Sequence, residues 1–424
     1  MLKCILKEKT LRNKIILTIL ILFFVAGLSG VPTPGINVDY FKEVLNTNTG
    51  VALFNALSGN GLGSVSIAML SITPYITASI ILQLLTVVFP TLAEIQSDGK
   101  EGIEKFKKIT AIVGIVLALV QALAFSIGFG RQGLLINFKW YWVICTTVCW
   151  TLTTALLIFL GELIEKKGFG NGISLILLFN ILASYPSDVQ TLYLKFIKGK
   201  SVGITFLSIF LILLFIMALF IFVIFVQETE KRIFIRYSSK TFGKVKDSNS
   251  VFPIKLCAGG VVPIIFASSI ISVPGLLAQM LGKDFFLANV LNSMMWFNKD
   301  KPIYTLGALI YVLLIFGFTY YYSSITLKSV EIANNFKKSG GTIPGVRPGK
   351  PTVEYIDRHL KVINFLGAVA LSIVALVPCV LAGIFSLSRL SFAGTSVIIT
   401  SNVIMDVYNK LKAETQIKTL RAFY

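Results

Sequence analysis

The sequence predicts an all-α polytopic membrane protein with ten transmembrane helices, arranged as two inverted, pseudo-symmetric halves. Apolar segments of about 20 residues, the length that crosses a bilayer as a helix, recur along the whole chain. Of its 424 residues, 55% are hydrophobic and only 14% are charged, whereas soluble domains carry about 25% charged residues. A soluble fold of this size would leave much apolar surface in water, so a helical bundle in a membrane fits the composition.

Ten segments have the length and hydrophobicity of a membrane span. They are residues 13–31, 66–90, 109–130, 140–161, 170–187, 203–227, 256–281, 303–327, 359–380 and 391–409. Basic residues before the first segment also suit a secretory signal, but a retained first helix agrees better with a ten-span pattern.

The basic residues predict the orientation of these spans. Ten spans would place both termini and the loops after spans 2, 4, 6 and 8 on the same side of the membrane. These parts of the chain, with the span ends beside them, hold 29 of the 39 Lys and Arg residues. Cytoplasmic loops are the ones enriched in Lys and Arg, so both termini are expected in the cytoplasm. The loop with Lys195, Lys198 and Lys200 goes against this trend.

Few residues have the chemistry of a catalytic or metal site. The five cysteines contain no C-x-x-C pair, and His359 is the only histidine, so we predict no metal site, no cofactor and no catalytic residue. Asp406 is the only acidic residue well inside an apolar run, whereas ion-coupled transporters usually place several ionisable groups there.

Short motifs recur between the two halves of the ten-span pattern. Spans 2 and 7 contain "PYITAS" and "PIIFAS", and spans 5 and 10 begin with "GISLIL" and "GTSVII". Five spans per half give the halves opposite orientations, and in such inverted repeats the functional site lies between the repeats. Chance agreement is the alternative, because these residue types are common in membrane helices. The predicted halves are residues 1–190 and 191–424.

Aliphatic residues on these four spans suit an apolar constriction. Two pairs are spaced four apart, so each pair shares a helix face, and two further isoleucines add single positions. An apolar constriction excludes ions by dewetting; ordinary core or lipid-facing packing is the alternative for any one of these residues. They are Ile72, Ile76, Ile173, Leu177, Ile265 and Ile399.

Six segments, in order through nearly the whole chain, carry a family resemblance. They are "ITPYITASIILQLLTVVFPTLAEI", "GNGISLI", "AGGVVPIIFASSII", "NNFKKSGGTIPGVRPGKPT", "YIDRHLKVINFLGA" and "GTSVII". These segments resemble the SecY/Sec61 alpha family, the channel subunits of the Sec protein translocase, in its bacterial form. The resemblance implies a channel that passes unfolded secretory polypeptides across the membrane and releases transmembrane segments sideways into it, without catalysis.

The resemblance also implies roles for particular residues around a central hourglass pore. The six aliphatic residues above match the family's pore ring. Spans 2 and 7 match a lateral gate whose small residues allow reversible contact, with Thr77 and Gln83 able to hydrogen bond across the seam if they face it. The implied gate residues are Thr77, Ala78, Ser79, Gln83, Ala267, Ser268 and Ser269. Residues 51–64 match the plug, with Phe54, Leu57 and the flexible Gly59, Gly61 and Gly63.

Two basic cytoplasmic loops, residues 228–255 and 328–358, are expected to dock partners. The resemblance implies the SecA ATPase or the ribosome, whose RNA phosphates suit exposed Lys and Arg side chains. It further implies SecE and SecG subunits, signal peptides, nascent chains and lipid as partners, and the bacterial cell membrane as location. The implied docking residues are Lys231, Arg232, Arg236, Lys240, Arg347 and Lys350.

Two other function classes are compatible with a polytopic helical chain. One is a secondary transporter of small solutes, which inverted repeats permit but the scarcity of ionisable groups in the spans disfavours. The other is a membrane-embedded enzyme acting on lipid or peptide, which lacks metal ligands and an evident nucleophile with its base.

Overall fold

The computed structural model describes residues 9–37, 65–196, 202–241, 244–257, 259–281, 286–292, 295–296, 302–385 and 393–422. The predicted plug, residues 51–64, lies outside these ranges, and with it Phe54, Leu57, Gly59, Gly61 and Gly63. The plug therefore stays a prediction.

The described chain is mainly α-helical. The helices are α1 (Lys9–Gly30), α2 (Thr73–Val88), α3 (Pro90–Ser97), α4 (Gly99–Gly128), α5 (Trp140–Lys167), α6 (Gly172–Phe196), α7 (Val202–Glu228), α8 (Val262–Leu281), α9 (Phe286–Val290), α10 (Thr305–Thr326), α11 (Ser329–Lys338), α12 (Lys350–Phe385) and α13 (Ala393–Ala422). Single 3₁₀ turns form at Gly130–Gln132 and Pro302–Tyr304.

Each of the ten predicted spans overlaps one long helix: α1, α2, α4, α5, α6, α7, α8, α10, α12 or α13. In the described residues, six helices are long and apolar enough to cross a bilayer alone, and α2 with α3 makes a seventh candidate as a bent pair. Two shorter apolar helices, Gly172–Pro186 and Val262–Gly275, fall below that length. The helical membrane class is confirmed, whereas the count of ten spans stays a prediction.

Both ends of α2 differ from the predicted span 66–90. Residues before Thr73 form turns, and Ser71 has a positive φ of 50°. At the other end the chain bends by 115° between α2 and α3. Pro90 explains this bend, because the residue before a proline is pushed out of the helical region; Phe89 is extended, with φ −109° and ψ 103°.

A three-stranded antiparallel sheet, which the sequence analysis did not predict, forms from the two basic loops. The strands β1 (Glu230–Thr241), β2 (Lys244–Lys255) and β3 (Gly341–Thr342) lie in the order β2-β1-β3. In β1, buried Ile233 and Ile235 alternate with exposed residues such as Phe234. This period of two is the signature of a half-buried strand, but the sequence hides it, because Ile233, Phe234 and Ile235 are three consecutive apolar residues.

Small residues bring the membrane helices into close contact. Compact side chains occupy every fourth position of one buried face of α4, from Thr110 to Ser126. At Gly114 in that row, a Cβ atom would lie 3.2 Å from the Cα atom of Tyr75 in α2. At Gly172, a Cβ atom would lie 1.9 Å from the carbonyl oxygen of Gly161, so α5 and α6 touch through their backbones. Such contacts are typical of packing between membrane helices.

Candidate functional site

The six predicted pore-ring residues belong to, or pack against, one large hydrophobic cluster; we call these six residues the collar. Ile72, Leu177 and Ile399 are buried, and Ile76, Ile173 and Ile265 are partly buried and packed against the same cluster. They come from the start of α2, from α6, from α8 and from α13. The fold therefore brings together residues that are more than 300 positions apart in the sequence, although ordinary core packing would also put them in one cluster.

Ile72 lies at the N-cap of α2 rather than inside the helix. Its carbonyl oxygen accepts the amide hydrogens of Tyr75 at 3.0 Å and Ile76 at 3.1 Å, so Ile72 and Ile76 are related by one helical turn as predicted. Ser71, directly before it, has a left-handed backbone, which costs roughly 1–2 kcal/mol for a residue with a Cβ atom. The amide nitrogen Nδ2 of Asn180 in α6 donates to Ser71 Oγ at 2.7 Å, and both side chains are buried.

Ile399 on α13 lies between residues that bond to two other helices. Gln227 of α7 donates from Nε2 to the carbonyl oxygen of Ile398 at 3.1 Å, and its Oε1 accepts from Ser401 Oγ at 3.1 Å. The hydroxyls of Tyr185 in α6 and Thr400 lie 3.3 Å apart. These contacts fix the backbone of α13 on both sides of Ile399.

Ile173 has a specific neighbour on α5. A Cβ atom at Gly161 would lie 2.9 Å from Ile173 Cγ1, so the isoleucine side chain rests on the glycine. The lack of a side chain at Gly161 therefore leaves the space that the Ile173 side chain occupies.

The predicted gate residues on α2 find their hydrogen-bond partners within α2. Thr77 Oγ1 donates to the carbonyl oxygen of Thr73 at 3.0 Å, and Gln83 Nε2 donates to Ser79 Oγ at 3.2 Å. Back-bonding of a hydroxyl to the preceding turn is the usual way to satisfy it inside a helix. These side chains therefore need no partner across a seam with α8. Ala78, on the same helix, is fully buried.

The gate residues on α8 contact their own helix and α10. The hydroxyls of Ser268 and Tyr311 lie 2.9 Å apart, and Ser269 Oγ donates to the carbonyl oxygen of Ile265 at 2.7 Å. Ala267 is fully buried. In the described residues α8 packs along α10 and α2 packs along α4, while contact between α4 and α8 is limited. The predicted gate helices thus pack on different neighbours.

One tyrosine links these two helix pairs. Tyr321 Oη of α10 donates to two carbonyl oxygens near the end of α2, those of Gln83 at 3.5 Å and Leu84 at 3.4 Å. The adjacent Tyr320 instead donates to the carbonyl oxygen of Lys361 in α12, at 3.4 Å. Tyr321 therefore connects the two sequence halves, and Tyr320 does not.

The two predicted docking loops form one folded module on the end of α12. Its hydrophobic core joins residues of β1, β2, α11 and α12: Ile233, Ile235, Ile254, Ala333, Phe336, Ile343, Ile356, Leu360 and Ile363. A hydrogen bond from Ser329 Oγ to the Asp357 carboxylate also ties α11 to α12. We call this unit the cytoplasmic module, following the predicted topology.

The predicted docking residues lie on the surface of this module. Lys231, Arg232, Arg236, Arg347 and Lys350 are exposed, whereas the side chain of Lys240 lies outside the described residues. Arg232 Nε also pairs with Glu230 at 2.9 Å, in an exposed ion pair that contributes little to stability.

Arg347 is held on a tight turn. The flanking Gly345 and Gly349 have φ values of 81° and 108°, which glycine adopts without strain. Thr352 Oγ1 donates to the carbonyl oxygen of Arg347 at 2.9 Å. The turn therefore presents the Arg347 side chain from a defined backbone.

Comparison with known proteins assigns the family. The sequence model of the SecY family matches residues 66–408. The chain belongs to the SecY family. It is 35% identical over 430 aligned residues to the protein translocase subunit SecY of Thermotoga maritima, an alignment that covers 98% of the chain and 96% of that relative. It is also 35% identical over 422 residues to the SecY subunit of Halalkalibacterium halodurans, with 97% and 96% covered.

Solved structures share the SecY fold with this chain. One, described as "The structure of a protein conducting channel", has a TM-score of 0.64 at 18% identity and covers 96% of the chain and 94% of its own. Another, "Sec61 in the Canine ribosome-channel complex from the endoplasmic reticulum", has a TM-score of 0.63 at 18% identity with the same coverage. The shared architecture extends over nearly the whole chain.

Four residues of this SecY-family site were missed in the sequence analysis. Asn180 and Gln227 are amides next to collar residues, Tyr321 links α10 to α2, and Phe336 anchors the cytoplasmic module. Asn180 was detectable, because a polar amide in the apolar run "LILLFNILAS" needs a partner inside the membrane. The partners of Gln227 and Tyr321 depend on tertiary packing.

Replacing Phe336 with alanine should loosen the cytoplasmic module. Phe336 is buried against the sheet and stacks edge-on with Phe252, with ring centroids 5.4 Å apart. A buried Phe→Ala change typically costs about 3–5 kcal/mol. Hydrogen–deuterium exchange of the β1 amides should therefore become faster. Phe234→Ala is the matched control, because that side chain is 64% exposed on the same hairpin; equal exchange in both variants would contradict the anchoring role.

Proposed function

We propose that the chain is the channel subunit of a protein translocase, which passes unfolded secretory polypeptides across a membrane and releases transmembrane segments sideways into the lipid. The observation that carries this proposal is family membership over nearly the full length, with relatives named protein translocase subunit SecY. The chain itself is a multi-pass membrane protein. We further propose the bacterial plasma membrane as its location, with both termini in the cytoplasm, in agreement with the positive-inside distribution of Lys and Arg.

The collar would act as the seal of this channel. Six aliphatic side chains offer no hydrogen bonds to water or ions, so a narrow space between them favours the dewetted, closed state. An extended polypeptide can displace such side chains without breaking directional bonds. Support comes from their common cluster and from their origin in both halves of the chain. The plug, residues 51–64, would cover the external side of the same seal.

The lateral gate would open between α2 and α8. Separation of two membrane helices is easiest where few bonds connect them, and interhelical hydrogen bonds in membranes average only about 0.6 kcal/mol. The polar side chains of α2 bond within their own helix, so opening would leave them satisfied. Opening would break the hydrogen bond from the Tyr321 hydroxyl on α10 to the carbonyl oxygens of Gln83 and Leu84 on α2.

The cytoplasmic module would bind the partner that drives transport. Its exposed basic residues suit an anionic surface such as ribosomal RNA, and one solved relative is described as part of a ribosome-channel complex. Gly349 and Lys350 are followed by Pro351, which departs from the G-x-x-x-x-G-K-[ST] pattern of a nucleotide-binding loop. We therefore propose SecA or the ribosome as the source of energy, with SecE and SecG as companion subunits.

Changing Ile399 to asparagine should weaken the seal. An amide in the collar holds water, so the idle channel should conduct ions several-fold better and should export precursors with defective signal sequences. Single-channel conductance in planar bilayers and export in inverted vesicles measure the two effects. Ile404→Asn is the matched control, because Ile404 lies on the same helix with a half-exposed side chain. Equal conductance in both variants would remove Ile399 from the seal.

Changing Tyr321 to phenylalanine should favour the open gate by about threefold, the factor that corresponds to about 0.6 kcal/mol. Crosslinking yield of a stalled signal segment to lipid measures this shift. Tyr320→Phe is the control, since its hydroxyl bonds to α12 in the same half. If Tyr320→Phe changes the yield as much as Tyr321→Phe, the link to α2 does not restrain the gate.

Arg347→Glu should impair motor-driven export while leaving the channel assembled. Charge reversal repels an anionic partner, and it changes only a side chain on the surface of the turn. Export of a purified precursor with SecA into vesicles gives the rate, and the amount of channel in the membrane gives assembly. Arg131→Glu reverses an exposed charge in a loop predicted on the opposite side and should not slow export. Parallel loss of export and of assembled channel would assign Arg347 a folding role instead.

A further inference from the structure

Two side-chain amides bond to the residues directly before two collar residues. Asn180 Nδ2 donates to Ser71 Oγ at 2.7 Å, and Ser71 precedes Ile72. Gln227 Nε2 donates to the carbonyl oxygen of Ile398 at 3.1 Å, and Ile398 precedes Ile399. One of these collar residues lies in the N-terminal half of the chain and the other in the C-terminal half. A side-chain amide therefore lies directly behind one collar residue in each half of the chain.

The geometry at Ser71 shows why an amide is needed there. Ser71 has φ 50°, a left-handed conformation that residues with a Cβ atom rarely adopt. It is 2% exposed, so its hydroxyl has little access to water. The bond from Asn180 gives that hydroxyl a buried partner in this conformation. It thereby holds the backbone conformation that leads into Ile72 and the start of α2.

The geometry at Ile399 uses both atoms of the Gln227 amide. The nitrogen donates to the Ile398 carbonyl oxygen and the oxygen accepts from the Ser401 hydroxyl at 3.1 Å. Two bonds fix both the position and the rotation of this turn of α13 relative to α7. Rotation of the turn would move the Ile399 side chain away from the other collar residues.

We propose that Asn180 and Gln227 are positioning residues that hold Ile72 and Ile399 in register within the closed collar. Isoleucine contacts are non-directional, so the collar cannot set its own register; directional bonds directly behind it can. This inference rests on the collar acting as the channel seal. On this proposal the two amides keep the ion conductance of the idle channel low, and they do not contact the transported chain.

The first test is the ion conductance of the idle channel in planar bilayers, measured on full-length protein for Asn180→Leu and Gln227→Leu. Leucine keeps the approximate size and removes the hydrogen bonds. Asn180→Leu should raise the conductance per channel about fivefold, the factor that loss of one hydrogen bond typically gives. Gln227→Leu, which loses two bonds, should raise it by more. Ser126→Ala is the matched control: it removes buried bonds between helices, those that join the Ser126 hydroxyl on α4 to the hydroxyls of Thr146 and Thr147 on α5 at 2.9 Å and 3.3 Å, and neither helix carries a collar residue. Conductance no higher than that of Ser126→Ala would overturn the proposal.

The second test separates this proposal from the proposed seal. Ile399→Asn is measured in the same bilayers. If Ile399→Asn leaks while the two leucine variants do not, the positioning role fails and the seal stands. If Ile399→Asn does not leak either, the seal itself fails.

A third comparison uses the backbone of Ser71 and does not require Asn180 to be changed. Ser71→Ala loses the bond but keeps a Cβ atom in the left-handed region, whereas Ser71→Gly loses both the bond and the strain. Alanine should relax its backbone, displace Ile72 and raise the idle conductance, and glycine should stay close to the unchanged protein. An alanine variant that conducts no better than the unchanged protein would overturn the role of Asn180, and it can be measured even if Asn180→Leu does not accumulate.

Discussion

The structure depends on one constraint: a polar group inside a membrane must find its partner within the protein. Backbone groups meet it by forming helices. Hydroxyl and amide side chains meet it in one of two ways, by bonding to their own helix or by bonding to a neighbouring one. In this chain Thr77 and Gln83 on α2 use the first way, and Asn180 and Gln227 use the second.

The location of the hydrogen-bond partner distinguishes helices that can move apart from helices that are held together. A helix whose polar groups bond internally can leave its neighbour without exposing an unsatisfied group, which suits the α2 face of the proposed gate. A bond to another helix is lost on separation, so Asn180, Gln227 and Tyr185 tie α6 and α7 to the collar. Tyr321 is intermediate, because its long bonds to carbonyl groups of α2 are weak enough to break.

The sequence could predict the helices because hydrophobicity over about 20 residues is a strong local signal, and the six collar residues all lie in or against one hydrophobic cluster. It predicted less at helix ends and in loops. The turn before Ile72 and the bend at Phe89 depend on local backbone conformation. The hairpin of β1 and β2 was not predicted, because Ile233, Phe234 and Ile235 are consecutive apolar residues and their alternation of burial shows only in the structure. Hydrogen-bond partners such as Ser71 and Asn180, 109 positions apart, follow from packing alone.

The cytoplasmic module is joined to the collar and the gate through one continuous helix. α12 begins at Lys350, three positions after Arg347, and runs for 36 residues. Its first turns form part of the module core, and along its length it packs on both α10, which carries Tyr321, and α13, which carries Ile399. Close-packed helices move as units rather than deforming gradually. A partner bound near Arg347 would therefore act on a helix that packs on both the helix of Tyr321 and the helix of Ile399.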